Sequence, residues 1–317
     1  MRCYLGMLLL TSSICAVTVP QASAGEFSLR VEEGKSTTVL QDDKPIARYV
    51  YALDLSSPET RHDTYKPFLH LLDAAGGAPI TKGPGGRFTH HRGVFRGWSK
   101  LRLNGQAYDT WHMKGNVQEH VKFAKAAADD EQATLTSLIR FRTDDGMPLL
   151  KEQRTMQFHH APTPALVMLD VTSVVHATEG RLVLDGDPEH AGLQFRPAND
   201  VVASQTRYAY PVANADPHRD LDYPWVAESY VVDGQRYAVV YLNHPDNANE
   251  ARTSAYRSYG RFGMWFRDEI PAGEQATTQV RLIVLEGEIP GDAFIRQQYR
   301  AFTGEEWEGE STRKAAE

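Results

Sequence analysis

Five of the twelve histidines of this chain, His70, His90, His91, His112 and His120, fall between Thr64 and His120. Tyr65, Lys66, Arg92, Trp98, Asp109, Trp111 and Glu119 are interleaved with them. Imidazole is the side chain suited to proton transfer near neutral pH, and it is also the commonest neutral metal ligand. Arg92 adds an always-charged fork shaped for a carboxylate or an anionic intermediate. Gly93 allows close approach of backbone to a ligand. Trp98 and Trp111 offer flat apolar faces on which a sugar ring can stack. On a strand, adjacent His90 and His91 face opposite sides, so one of the two points into a given site. Each residue alone also fits a structural role, as a histidine satisfied by backbone or a tryptophan in a core. The group as a whole fits that role less well, because a core does not tolerate such charges unpaired.

Other chemistries have less to stand on. There is no GxSxG elbow for a serine nucleophile, and both cysteines, Cys3 and Cys15, lie within the first 24 residues. HxH and HExxH are absent, and His112, Glu119 and His120 lack the spacing of a helical zinc site. No metal ligand is therefore assigned and no cofactor is expected. A histidine-ligated metal centre remains an alternative, which requires three imidazole or carboxylate groups to converge.

Composition narrows the partners. The chain has 317 residues, a net charge of -7 and no basic run, which argues against nucleic acid and anionic membranes as targets. Arg2, the apolar run Leu5 to Val17 and Ala22-Ser23-Ala24 read as a secretory signal peptide over residues 1–24. The expected location is periplasmic or secreted. No other run approaches the roughly 20 apolar residues of a membrane span. Oligomeric state leaves no trace in the sequence.

The elements that must position these residues are strands. FSLRV, TTVLQ and KPIARYVYALDL are extended runs separated by turn residues. ATLTSLIRFRT and LLKEQRTMQFHH flank Asp144-Asp145-Gly146. PALVMLDVTSVVHA reads as a central strand buried on both faces. ESYVVDGQRYAVVYLNHP predicts a hairpin over Asp233-Gly234, and RFGMWFRDEIPAGEQATTQVRLIVLEG a second one over PAGE. GDAFIRQQYRAF is the one helical stretch, with Phe294, Ile295, Tyr299 and Phe302 on one face. The expected fold is all-β, a large antiparallel β-sandwich of supersandwich type with one C-terminal helix. It forms a single domain over residues 25–302, followed by a charged, frayed tail over residues 303–317.

The blocks TYKPFLH, FTHHRGVFRGW, DTWHM and HAGLQFR resemble those of a family of secreted bacterial proteins known as PmoA-like. Members read Asp-His-x-His-His-Arg-Gly at the second block. His90, His91, Arg92 and Gly93 match, as do Trp111 and His112 in the third. Arg87 and Phe88 stand where the leading Asp and His are expected, and Leu71 follows His70 in place of a proline. The layout is also similar to the galactose-mutarotase type of supersandwich, which binds sugars on a concave sheet.

These readings lead to an expected function, an exported carbohydrate-active enzyme of epimerase, lyase or hydrolase type. His90 or His91, with His112, is expected to act as acid and base, and Arg92 to steady developing negative charge. His190 is the further catalytic candidate. Tyr65, Lys66, His70, Trp98, Trp111, Gln194 and Arg196 are expected to hold a small-molecule or carbohydrate ligand, with Glu189, Asn243 and His244 completing the pocket. A non-catalytic sugar-binding module is the second alternative beside the metal-dependent enzyme.

Overall fold

Two-residue alternation builds the larger of two main sheets. In Ala165–His176, Val167, Leu169, Val171, Ser173 and Val175 are buried and the residues between them are half-buried, so one side faces a core and the other faces outward. This strand is central, between Gln275–Glu286 and Pro148–His159. It is not buried on both faces as the sequence suggests, because Asp170 on the outer side pairs with Arg281 at 2.6 Å.

The computed structural model describes residues 25–317, so the signal segment lies outside the described residues. Among the described residues no helix is long and apolar enough to cross a membrane. The nine-stranded sheet runs, edge to edge, Thr312–Ala315, Arg207–Tyr210, Trp225–Val232, Gln235–Asn243, Gln275–Glu286, Ala165–His176, Pro148–His159, Gln132–Thr143 and Asn116–Ala128. The eight-stranded sheet runs Phe27–Glu32, Ser36–Gln41, Lys44–Val50, Phe68–Leu71, Val94–Trp98, Ala191–Phe195, Phe262–Trp265 and Arg252–Thr253. A third, four-stranded sheet joins Asp268–Ile270, Leu182–Leu184, Leu101–Leu103 and Gln106–Tyr108. The pairings are antiparallel throughout.

The two large sheets face each other across one core. Tyr49, Leu69, Leu193, Phe195 and Phe262 of the eight-stranded sheet meet Leu135, Met156, Leu169, Tyr230 and Tyr241 of the other. A buried ion pair on the nine-stranded sheet lies within this layer. Arg154 donates to both Glu152 oxygens at 2.9 and 2.7 Å, and Ser173 Oγ donates to Glu152 at 2.6 Å, so the charges are satisfied where they are buried.

Of three local expectations, one holds and two need correction. The Asp233-Gly234 hairpin forms, with φ of 49° and 75° at its two turn residues, as a type I′ turn requires. The PAGE hairpin does not form, because Asp268–Ile270 pairs with Leu182–Leu184 in the small sheet. The stretch before Tyr65 contains a short helix, Pro58–Thr64, which the sequence reading passes over although Ser57 caps it and Pro58 opens it.

The tail is ordered rather than frayed. The Asp292–Thr303 helix ends at Gly304 with φ of 77°, packing Ile295 and Tyr299 on the outer face of the nine-stranded sheet. The chain then buries Trp307 edge-on against Trp225, 5.0 Å between rings. Thr312–Ala315 finally pairs with Arg207–Tyr210 and covers the sheet edge. Trp307→Ala is expected to lower unfolding free energy by about 3 kcal/mol in a urea titration. An unchanged midpoint would mean that this tail contributes nothing to stability.

Candidate functional site

The strand pair Val94–Trp98 and Ala191–Phe195 carries the site on the face turned away from the core. Phe95 sits directly opposite Gln194, and Gln194 opposite Gly263, so these three share that face. The turn from Asp109 to Lys114 lies flat on it. Gly97 makes this possible, since a Cβ there would meet Thr110 O at 2.5 Å. Trp111 stacks on Phe95 at 4.8 Å, and the buried Lys66 ammonium donates to Trp111 O at 2.6 Å. Gly93 also permits a close approach, but to the backbone of Leu69 rather than to a ligand.

Two turns of the same design present two histidines. Asp109 Oδ1 accepts from the backbone N–H of His112 at 2.9 Å, while Oδ2 is 2.8 Å from His112 Nδ1. Asp187 Oδ1 accepts from Glu189 N–H at 3.0 Å and is 2.8 Å from His190 Nδ1. In each case an aspartate three residues upstream fixes the turn and the ring together. A carboxylate on Nδ1 places the proton there and leaves Nε2 as the basic nitrogen. The two rings are 5.4 Å apart and partly exposed. Burial works to raise the Asp109 pKa, but the hydrogen bonds from His112 and the charges nearby bring it down to about 2.

His90 and His91 pack into the same group. The His90 ring is 4.4 Å from His91 and 4.5 Å from His112, and His91 is walled by Phe88, Phe95, Trp111 and Tyr259. Burial, and then the Lys66 charge, holds His90 down at about 3. His91 is lowered further, by burial and then by Arg261. These two rings are neutral at physiological pH. Among the described residues no group of three or more His, Cys, Asp or Glu side chains is arranged to hold a metal ion.

Beside the rings opens a cleft of about 410 Å³, lined by His90, His91, His190, Glu189 and Tyr259 together with Arg87, Phe88, Arg257 and Arg261. Glu189 accepts from Arg257 Nε at 3.0 Å and from Tyr256 at 3.2 Å, with Arg261 at 3.4 Å. Burial works to raise its pKa, but Arg257 and Arg261 outweigh that and keep it below the usual range. Gln194 does not face the cleft; its Oε1 accepts from Arg261 at 2.9 Å and from Ser254 at 2.8 Å, which holds the arginine from beneath. Arg196 lies under Tyr259, donating to its carbonyl. Below both arginines Glu228 is fully buried with neither carboxyl oxygen hydrogen-bonded to protein, and burial pushes its pKa well above the usual range against the pull of Arg196 and Arg261.

Several sequence candidates fall elsewhere. Arg92 is fully buried and donates to the carbonyls of Thr89, His91 and His62 at 2.6, 2.8 and 2.6 Å, so it fastens loops and has no fork left for an anion. Trp98 belongs to the core beside Phe141, and Trp111 is a buried floor under the histidines. Tyr65 is buried beneath Arg92. His70 is buried against Thr81 and Phe68. Asn243 bonds Asn247 and His244 meets Phe302 edge to face, on the helix side of the nine-stranded sheet, away from the cleft. His120 packs with Tyr51 and Phe123, and Glu119 pairs with Arg140 and Arg142. Asp109 and Asp187 have no role in the sequence reading. The repeated Asp-x-x-His spacing of DTWH and DPEH is the signal that identifies them.

The buried histidines set a pH window for stability. Burial lowers His70 and His120 to about 4 and His90 to about 3, against an ordinary 6.5. Below pH 6.5 the unfolded chain takes up protons that the folded chain refuses, so this stability is complete above 6.5 and falls as the pH drops towards 4. The thermal midpoint is expected to decline across that window, and less steeply in His120→Asn. Parallel curves for the two proteins would refute this assignment.

The comparisons with known proteins come to rest on one family. No curated protein matches the sequence. Among solved structures, the heparan sulfate lyase HepC of Pedobacter heparinus is 13% identical, with 85% of this chain and 36% of that one covered and a TM-score of 0.36. An alpha-galactosidase of Lactobacillus brevis is 9% identical, with 88% and 40% covered and a TM-score of 0.41. A provisionally assigned aldose 1-epimerase of Escherichia coli K12 is 12% identical, with 82% and 100% covered and a TM-score of 0.32. The chain thus spans well under half the length of the lyase and the galactosidase. Likeness at this level carries no argument about activity. The family profile that matches covers residues 36–299 and bears no PmoA designation. On that match, the chain belongs to the family of unknown function DUF6807.

Proposed function

We propose that this protein is a carbohydrate-active enzyme in which His112 and His190 carry the proton transfers. The observation that supports this most is the pair of Asp-backed imidazoles, Asp109–His112 and Asp187–His190, with rings 5.4 Å apart, His190 lining the cleft and His112 behind it against His90. An aspartate on Nδ1 stabilises the imidazolium that forms when Nε2 takes a proton. One ring serves as base and the other, once protonated, as acid. His90 and His91, neutral and enclosed, shape the wall and position His112. Arg261 and Arg257 take the role first expected of Arg92, facing negative charge as it develops.

The spacing favours some reactions over others. Two groups this close stand on one side of whatever occupies the cleft, which suits removal and return of protons on the same face, as in elimination or isomerisation at an anomeric or carbonyl-adjacent carbon. Glycoside hydrolysis ordinarily uses two carboxyl groups flanking the bond. Here Glu189 is the one carboxylate lining the cleft, and it is tied to Arg257 and Arg261. A hydrolase is therefore the least favoured of the three reaction types.

On a sugar that the wild type converts, His112→Ala and His190→Ala are each expected to lower kcat by about 10²–10⁴, with KM moved far less. Asp187→Asn keeps the imidazole and an acceptor oxygen but loses the negative charge that stabilises the protonated ring, so kcat falls while substrate still binds. Screening covers reducing aldoses by polarimetry and uronate oligosaccharides by formation of the unsaturated product. Undiminished kcat in both histidine variants would overturn the proposal.

A further inference from the structure

The charge of the cleft is a property that proton transfer alone does not require. Three guanidinium groups surround the Tyr259 ring, Arg196 at 5.0 Å, Arg87 at 5.6 Å and Arg261 at 5.9 Å from its centroid. Arg257 lines the same cleft, and against these stands one carboxylate, Glu189, already matched by Arg257 and Arg261. The chain as a whole has a net charge of -7, so a cationic cleft does not follow from composition.

Arg87 differs from its neighbours. It is exposed and, among the described residues, has no acidic partner within 4.0 Å. Its guanidinium is nonetheless held in place, 4.7 Å from the Phe88 ring on one side and facing Tyr259 on the other. Stacking on aromatic faces fixes the plane of an arginine while leaving its N–H fork open. A fork of that kind recognises a carboxylate or a sulfate through paired, charge-assisted hydrogen bonds.

We propose that the cleft selects a sugar bearing an anionic group, a uronate carboxylate or a sulfate ester, and that Arg87 reads the charge. The proposal rests on the acid-base reading for the position of the sugar, beside His190, but not for the selection itself. Arg257 and Arg261 supply the positive field behind it, and Arg87 supplies the unused donors. Neutral sugars of the same stereochemistry lack the group that these donors require.

The test is calorimetric binding to the full chain of a panel of glucuronate, galacturonate and mannuronate disaccharides, their methyl esters, and glucose and galactose 6-sulfates. At least one acidic sugar is expected to bind roughly tenfold or more tightly than its neutral counterpart. Arg87→Gln is expected to weaken that binding by roughly 10- to 100-fold, and Arg87→Lys to recover part of it. The carboxylate and sulfate arms separate the two sources of charge. Esters that bind as well as acids, no binding by any acidic sugar, or an Arg87→Gln protein with unchanged affinity would overturn the proposal. Selective binding of an acidic sugar that is never converted would sink the acid-base reading and leave this one standing. Conversion of neutral sugars without charge preference would do the reverse.

Discussion

Four buried cations without acidic partners hold this site together. Lys66, Lys82, Arg92 and Arg196 are each at most 1% exposed, and each donates to backbone carbonyls on a different part of the site. Lys66 takes Trp111, Lys82 takes Gly83 and Gly85, Arg92 takes His62, Thr89 and His91, and Arg196 takes Tyr259. Loops have no ladder of their own to fix them. A buried charge must find hydrogen bonds or bear a heavy desolvation cost, so every cation that needs a carbonyl also fixes the loop that supplies it. Of the two histidine turns, the one that carries His112 is fixed in this way, through the carbonyl of Trp111.

Burial first, and nearby positive charge second, set the state of two of the histidines. His90 and His91 are pressed against positive charge as well as burial, and both effects favour the neutral ring. His112 and His190 instead each have an aspartate, Asp109 and Asp187, at hydrogen-bond distance. Four imidazoles in one group are thus sorted by environment into two enclosed in the wall and two held by aspartates. The sorting needs no difference in residue type, only a difference in neighbours.

Much of the fold was legible because strand alternation is a local property. The paired hydrophobics of Gln132–Thr143 and Pro148–His159, the Asp233-Gly234 turn and the face of the Asp292–Thr303 helix all lie within single segments. What was not legible depends on partners far along the chain. Asp268–Ile270 leaves the PAGE turn for a strand more than eighty residues earlier, and Trp307 finds Trp225 across a similar distance. The site shows the same division. The histidines and the Asp-x-x-His spacing can be read from the sequence, whereas Arg257 and Arg261 join the cleft only because Phe262–Trp265 pairs with Ala191–Phe195. Asn243 and His244 look equally suitable in sequence, and sheet order alone carries them to the other side.

Glu228 gives the cleft a property that extends beyond its walls. A carboxyl biased towards its neutral form beneath Arg196 and Arg261 leaves their charge uncancelled from below, so the field lines run outward through the mouth of the cleft into solvent. A ligand of opposite sign is drawn in before it touches anything, and long-range attraction of this kind sets how often productive encounters occur. Ionic strength should then govern the rate of capture more than the rate of escape.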